Sequence, residues 1–315
     1  ICGMPVRVRA HCRLGARHDI EVEDDVTAVL EYANGATGVF VTSTGEAPGA
    51  NRFEIVGDLG TIIVDGSGSI DADGTVTLDN NAAGGIDING AVNGGTGVVL
   101  DADAGNVAID GDVGAEGIGD INIDADAGNV LIAATAGASV STETGTVDIT
   151  GRTVTLGDAA NRGIIQTDGG DVDINATTAF TMGTEESTEI NSGGDIEISN
   201  PDTVTIAGEG LYANDDINVD ALDTIDVNGV VQSEGGNITL DVLNADGDDA
   251  LINVNADIFG HGTVELTTTD DDNDISRVTI DANISGDDAT VTTNGTANST
   301  IEIAVTAASD NELGS

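Results

Sequence analysis

Lysine and tryptophan are absent from this chain, and eight arginines stand against 57 Asp and Glu, for a formal net charge of −49. A field of that sign repels nucleic acid and anionic membrane surfaces, so neither is expected as a partner. Aromatic residues make up 2% of the chain. Enzymes that process polysaccharides on rod-shaped folds rely on a basic residue and on aromatic sugar platforms. Beyond residue 65 the chain offers three arginines and one tyrosine, Tyr212, which disfavours that chemistry. Both cysteines, Cys2 and Cys12, lie near the start, so no disulfide framework staples the rest. No run of eighteen apolar residues occurs, and no membrane-spanning helix is expected. The sequence opens on Ile1 without a charged and then apolar leader, and we expect it to be a stretch of a longer polypeptide.

What is present divides unevenly. Residues 1–65 carry five of the eight arginines and ten acidic residues, whereas residues 66–315 carry three arginines and 47 acidic residues. High charge with few aromatics is also a signature of disorder. Against that, 39% of the chain is hydrophobic, and the Val and Ile residues sit in ordered triplets.

Those triplets follow a repeated turn. Ala104-Gly105-Asn106-Val107-Ala108-Ile109 recurs as Ala127-Gly128-Asn129-Val130-Leu131-Ile132, as Gly169-Gly170-Asp171-Val172-Asp173-Ile174, as Gly193-Gly194-Asp195-Ile196-Glu197-Ile198 and as Gly235-Gly236-Asn237-Ile238-Thr239-Leu240. Gly and Asn accept positive backbone dihedrals, and the flanking β-branched residues favour extended backbone with inward, outward, inward alternation. Triplets beginning at Val107, Val130, Val147, Val172, Ile196, Ile217, Ile238 and Val264 are separated by 23, 17, 25, 24, 21, 21 and 26 residues. Secondary triplets start at Val154, Val204, Ile225 and Val278. The pattern predicts a mainly β protein whose residues 66–315 form a parallel β-helix, a solenoid of roughly 22-residue coils with two or three short strands each. One such coil cannot bury its apolar face alone and needs neighbours above and below. The triplets are too short for an antiparallel sandwich. The Gly-Gly-Asn/Asp-Ile/Val turn with short strands resembles the repeats of filamentous-haemagglutinin and autotransporter-adhesin β-helices over most of residues 70–305. That resemblance implies an exported or cell-surface structural module with extracellular ligands.

Residues 1–65 read differently. Val6-Arg7-Val8-Arg9-Ala10 alternates, Asp24 to Tyr32 is β-rich, and Asn34-Gly35 is a strong hairpin signal returning into Ala36 to Thr42. With Arg52 to Val56 and Thr61 to Val64, the expectation is a small antiparallel meander of five strands. Met4-Pro5-Val6-Arg7-Val8-Arg9-Ala10, Asp19-Ile20-Glu21-Val22-Glu23-Asp24-Asp25-Val26-Thr27-Ala28, Tyr32-Ala33-Asn34-Gly35-Ala36-Thr37-Gly38 and Asn51-Arg52-Phe53-Glu54-Ile55-Val56-Gly57-Asp58-Leu59-Gly60 resemble the C-terminal domain of Gfo/Idh/MocA oxidoreductases. The resemblance implies an NAD(P)-dependent dehydrogenase of sugars or polyols, cytoplasmic, with its nucleotide on a Rossmann domain. No GxGxxG turn between a strand and a helix occurs here, and the family's EKP-type lysine has no counterpart in a chain without Lys. No catalytic or cofactor-binding residue can therefore be carried over, and this piece is expected to be non-catalytic as it stands. His18 beside Asp19 could suggest a general base, but sequence neighbours on a strand point to opposite faces. His11 and His261 are lone histidines with weaker claims.

The repeats offer one candidate cofactor. Acidic residues gather at turns, including Asp71-Ala72-Asp73, Asp246 to Asp249 and Asp270 to Asp274. The most regular are Asp101-Ala102-Asp103 and Asp124-Ala125-Asp126, where alternating carboxylates can present the several oxygens that calcium takes. Asp101, Asp103, Asp124 and Asp126 are thus the candidate calcium ligands. No EF-hand loop is present, and a salt-adapted acidic proteome is the rival source of such charge.

Overall fold

The computed structural model describes residues 3–15, 17–44, 53–57, 60–64, 69–80, 85–103, 105–133, 136–244, 249–270, 275–295 and 298–303. Every regular element among them is a β-strand. The chain forms two compact units, residues 1–52 and 53–315.

The first unit is a three-stranded antiparallel sheet of β1 (Pro5–Leu14), β2 (Glu23–Tyr32) and β3 (Thr37–Ser43), in that order. The Asn34-Gly35 signal is the β2–β3 turn. Gly35 sits at φ +90, its N–H donates to the Tyr32 carbonyl at 3.1 Å, and the Asn34 side chain accepts the Ala36 N–H at 3.1 Å. Alternation along β1 sends Arg7 and Arg13 to one face, where they meet Glu31 at 3.1 Å and Asp25 at 3.8 Å across the strand pair. The expected five-strand meander is thereby corrected to three. Phe53–Gly57 and Gly60–Val64 pair with each other, and the second of them pairs antiparallel with Ile70–Ala72 of the second unit.

The second unit is a parallel β-solenoid, and its strands stack in three columns. The first column runs through Val76, Val98, Ile121, Val147, Val172, Ile196, Ile217, Ile238 and Val264. The second runs through Ile86, Val107, Val130, Val154, Phe180, Val204, Ile225, Ile252 and Val278. The third, which carries no Gly-Gly signal of its own, runs through Val92, Val113, Val140, Ile165, Ile190, Leu211, Val231 and Ile258. Steps within a column are 20 to 27 residues. The 17-residue interval in the triplet series has a simple cause: Val107 and Val130 stand in the second column and Val147 in the first, so that step crosses from one column to the other within the stack.

Because each sheet faces the core on one side and water on the other, the triplets alternate, and the long strands Val147–Leu156 and Val172–Met182 break the alternation between the first and second columns. Val172 and Ile174 are buried around half-buried Asp173, as Ile196 and Ile198 are around exposed Glu197. The core is one continuous apolar column from Ala72 to Ile280.

The repeated turn is held by two sets of side chains. Buried hydroxyls at the end of the third column bond its backbone: Thr142 Oγ1 donates to the Gly119 carbonyl at 2.7 Å, Ser192 Oγ to the Gly170 and Asp195 carbonyls at 2.9 and 2.8 Å, and Ser233 Oγ to the Asp215 carbonyl at 2.6 Å. Outside, the turn Asp or Asn of one coil accepts the backbone N–H of its equivalent one coil on. Asp171 takes Asp195 at 2.9 Å, Asp195 takes Asp216 at 2.7 Å, Asp216 takes Asn237 at 2.6 Å and Asn237 takes Thr263 at 2.9 Å. The Gly before this residue is needed for close approach, since a Cβ at Gly170 would run into the Gly145 carbonyl of the coil below. Part of the acidic composition is therefore a ladder of backbone-bonded carboxylates rather than free surface charge.

Candidate functional site

Outward positions of the columns bring together side chains that are far apart in sequence. Asp79, Asp101 and Asp124 occupy consecutive coils of the first column, so the candidates Asp101 and Asp124 are neighbours. Asp103 and Asp126 follow in the turns. Asp124 Oδ1 accepts the Asp126 N–H at 2.8 Å, and Asp126 takes a positive φ of 42. Desolvation raises the Asp101 carboxyl above the ordinary carboxylate range, helped by Asp103, Asp124, Asp79 and Asp126. Among the described residues, no group of three or more His, Cys, Asp or Glu is disposed to hold a metal ion. Asp246 to Asp248 and Asp271 to Asp274 lie outside the described residues.

A second acidic row lies at the outward centre of the triplets themselves. The central residues of Val147-Asp148-Ile149, Val172-Asp173-Ile174 and Ile196-Glu197-Ile198 stack in register. With Thr150, Asn175 and Ser199 they line a hollow of about 340 Å³. Burial pushes Asp173 up to about 6, and the charges of Asp148 and Glu197 on either side add to it. The folded chain thus holds a proton on Asp173 up to about pH 6, while the unfolded chain releases it near 3.8. Folding takes up protons in that window, so stability rises as pH falls through 6. Replacing Asp173 with Asn is expected to raise the melting temperature at pH 7.5 by about 1–3 °C and to flatten its rise between pH 7 and 5. Thermal melts followed by circular dichroism check this, and an unchanged pH profile in the variant would exclude Asp173 as its source.

The third constellation lies on the third column. Asn191, Tyr212 and Gln232 stack on successive coils, while Ile190, Leu211 and Val231 beside them point into the core. Two residues earlier the row reads Glu189, Gly210, Val230. Gly210, at φ +118, has no room for a Cβ against the Val230 backbone of the next coil, and beside this row a hollow of about 340 Å³ is lined by Glu189, Asn191, Tyr212 and Gln232. Glu209 and Glu234 also line it. The Tyr212 hydroxyl donates to the Glu209 carbonyl at 3.2 Å and fixes the ring. Burial, followed by Glu209, raises the Glu189 carboxyl, and Arg162 opposes the shift. Burial, Glu209 and Glu189 raise the Tyr212 phenol.

In the three-stranded sheet, His18 finds Asp24 rather than Asp19. Asp24 is 2% exposed and accepts the Arg17 and His18 N–H groups at 2.6 and 2.9 Å. The His18 ring lies 3.0 Å from Thr44 Oγ1. These contacts brace the loop before β2. Cys12 is a free, exposed thiol, and Cys2 lies outside the described residues.

No curated protein matches the chain. One family model does: the GFO/IDH/MocA C-terminal domain matches residues 1–63, which include the whole three-stranded sheet and extend into the hairpin that pairs with the solenoid.

Proposed function

We propose that the chain is a structural and adhesive module of a cell-surface or secreted protein, carrying a non-catalytic piece of an oxidoreductase domain. The observation behind this reading is the solenoid itself. It stacks coil on coil in register, and the outward position of each step is free to vary. Rows of Asp, Asn, Thr, Tyr and Gln can then be presented to an extended partner without disturbing the core. Calcium enters this reading as a counterion to the carboxylate rows around Asp101 and Asp124.

A second reading rests on the family match over residues 1–63. In it the chain is part of an NAD(P)-dependent sugar or polyol dehydrogenase whose Rossmann domain lies elsewhere. Two measurements separate the readings. Antibodies against residues 69–303 should label intact, unpermeabilised cells, and NADH or NADPH titrated into the purified chain should show no fluorescence enhancement. Labelling only after permeabilisation, together with saturable nucleotide binding, would favour the dehydrogenase.

A further inference from the structure

We infer that the hollow around Tyr212 is a binding site for an organic cation, an alkylammonium or guanidinium group. The inference holds whether or not the chain is exported.

Three features converge there. An aromatic ring is held in place by its own hydroxyl bond to the Glu209 carbonyl, so its orientation does not have to be fixed on binding. A ring face attracts cations through its quadrupole, and more strongly where water is partly excluded. Three carboxylates, Glu189, Glu209 and Glu234, line the hollow, and no basic residue does. Amides stand one coil below and one coil above the ring, at Asn191 and Gln232, and their carbonyl oxygens can accept from the N–H groups of such a ligand.

The geometry selects among cations. The hollow is about 340 Å³, large enough for an alkyl chain with its charged head, and its aromatic wall gives a methylene stem something to cover. A small hydrated metal ion gains nothing from the ring and finds no three-carboxylate cage among the described residues. A neutral sugar would use the ring and the amides but leave Glu209 and Glu234 without a counter-charge in the hollow, Arg162 acting on Glu189 alone. The row on the other sheet, Asp148, Asp173 and Glu197, has equal charge and a hollow of the same size but no aromatic ring, which makes it a built-in control.

The chain has no Trp and two Tyr, so Tyr32→Phe leaves Tyr212 as the sole emitter. In that background, spermidine and argininamide are titrated at about 150 mM NaCl, where diffuse attraction is screened beyond about 8 Å. Saturable change in tyrosine emission is expected with at least one of them, and which one binds tells a polyamine from a basic side chain as the source. Adding Glu189→Gln and Glu209→Gln should weaken half-saturation by about tenfold or more. Adding Asp148→Asn and Asp173→Asn instead should leave it unchanged. The proposal is overturned if neither probe saturates, if both pairs of substitutions weaken binding alike, or if glucose gives the same response as the cations.

Discussion

Replacing Phe180 with Ala is expected to destabilise the solenoid by about 3–5 kcal/mol, the range for removing a fully enclosed Phe. Phe180 is 0% exposed and heads the set of largest fully buried side chains. In the second column it is stacked on Val154 below and lies under Val204 above, so its ring fills space contributed by three coils. The cost has two parts, the lost transfer of the ring from water and the cavity left behind. That cavity closes poorly here, because the strands on both sides are fixed in register by ladder hydrogen bonds. Thr181→Ala, one residue on and outward, is the paired control and should change stability by no more than about 0.5 kcal/mol. Urea unfolding followed by circular dichroism reads both. A loss below about 1 kcal/mol for Phe180→Ala would mean that this position does not face a dry, close-packed core.

Much of this arrangement could be read from the residues. The inward, outward, inward triplet identifies the strands because its period of two has a single solution when one face is buried. Val154, Val204, Ile225 and Val278 did prove to be a second stack. The third column was harder, because its strands, such as Val113–Ala115 and Val230–Ser233, carry no preceding Gly-Gly turn. Column membership could not be read near Val130 and Val147, since two triplets of one coil look alike until their partners are known. The start of the solenoid was similarly hidden. Thr61 to Val64 alternates as a meander strand would, and only pairing reveals that its neighbour is Ile70–Ala72.

For the sites, composition pointed at carboxylates but could not separate their roles. Asp171, Asp195 and Asp216 bond the backbone of the next coil. Asp148 and Asp173 sit in the same repeats two residues after their turn positions and face a hollow. In sequence both sets are simply Asp near Val or Ile. Tyr212 stood out by rarity alone. Its setting between Asn191 and Gln232 depends on register steps of 21 and 20 residues, which differ from coil to coil.

The larger expected effect comes from treating the coil as the unit of structure. Deleting residues 196–216 removes one strand from each column, Ile196–Ser199, Thr203–Ile206 and Gly210–Ala213, and joins Asp195 to Ile217. The new junction reads Gly193-Gly194-Asp195-Ile217, which preserves the turn that Ser192 Oγ and the aspartate ladder hold. Ile217 then stacks on Val172 as Ile196 did, and Leu211's place in the third column passes to Val231. Deleting only residues 196–206 removes two of the three strands and sends a third-column strand into first-column register. Every later coil is then misplaced on its neighbour, and local units of a solenoid are stable only through those neighbours.

Circular dichroism melts of these two deletions test the account most directly. Loss of the whole coil, residues 196–216, is expected to leave a cooperative β melt within about 10 °C of the parent, whereas the shorter deletion, residues 196–206, abolishes the transition. If the longer deletion unfolded the protein while the shorter one left it intact, the stacked three-column coil would be wrong.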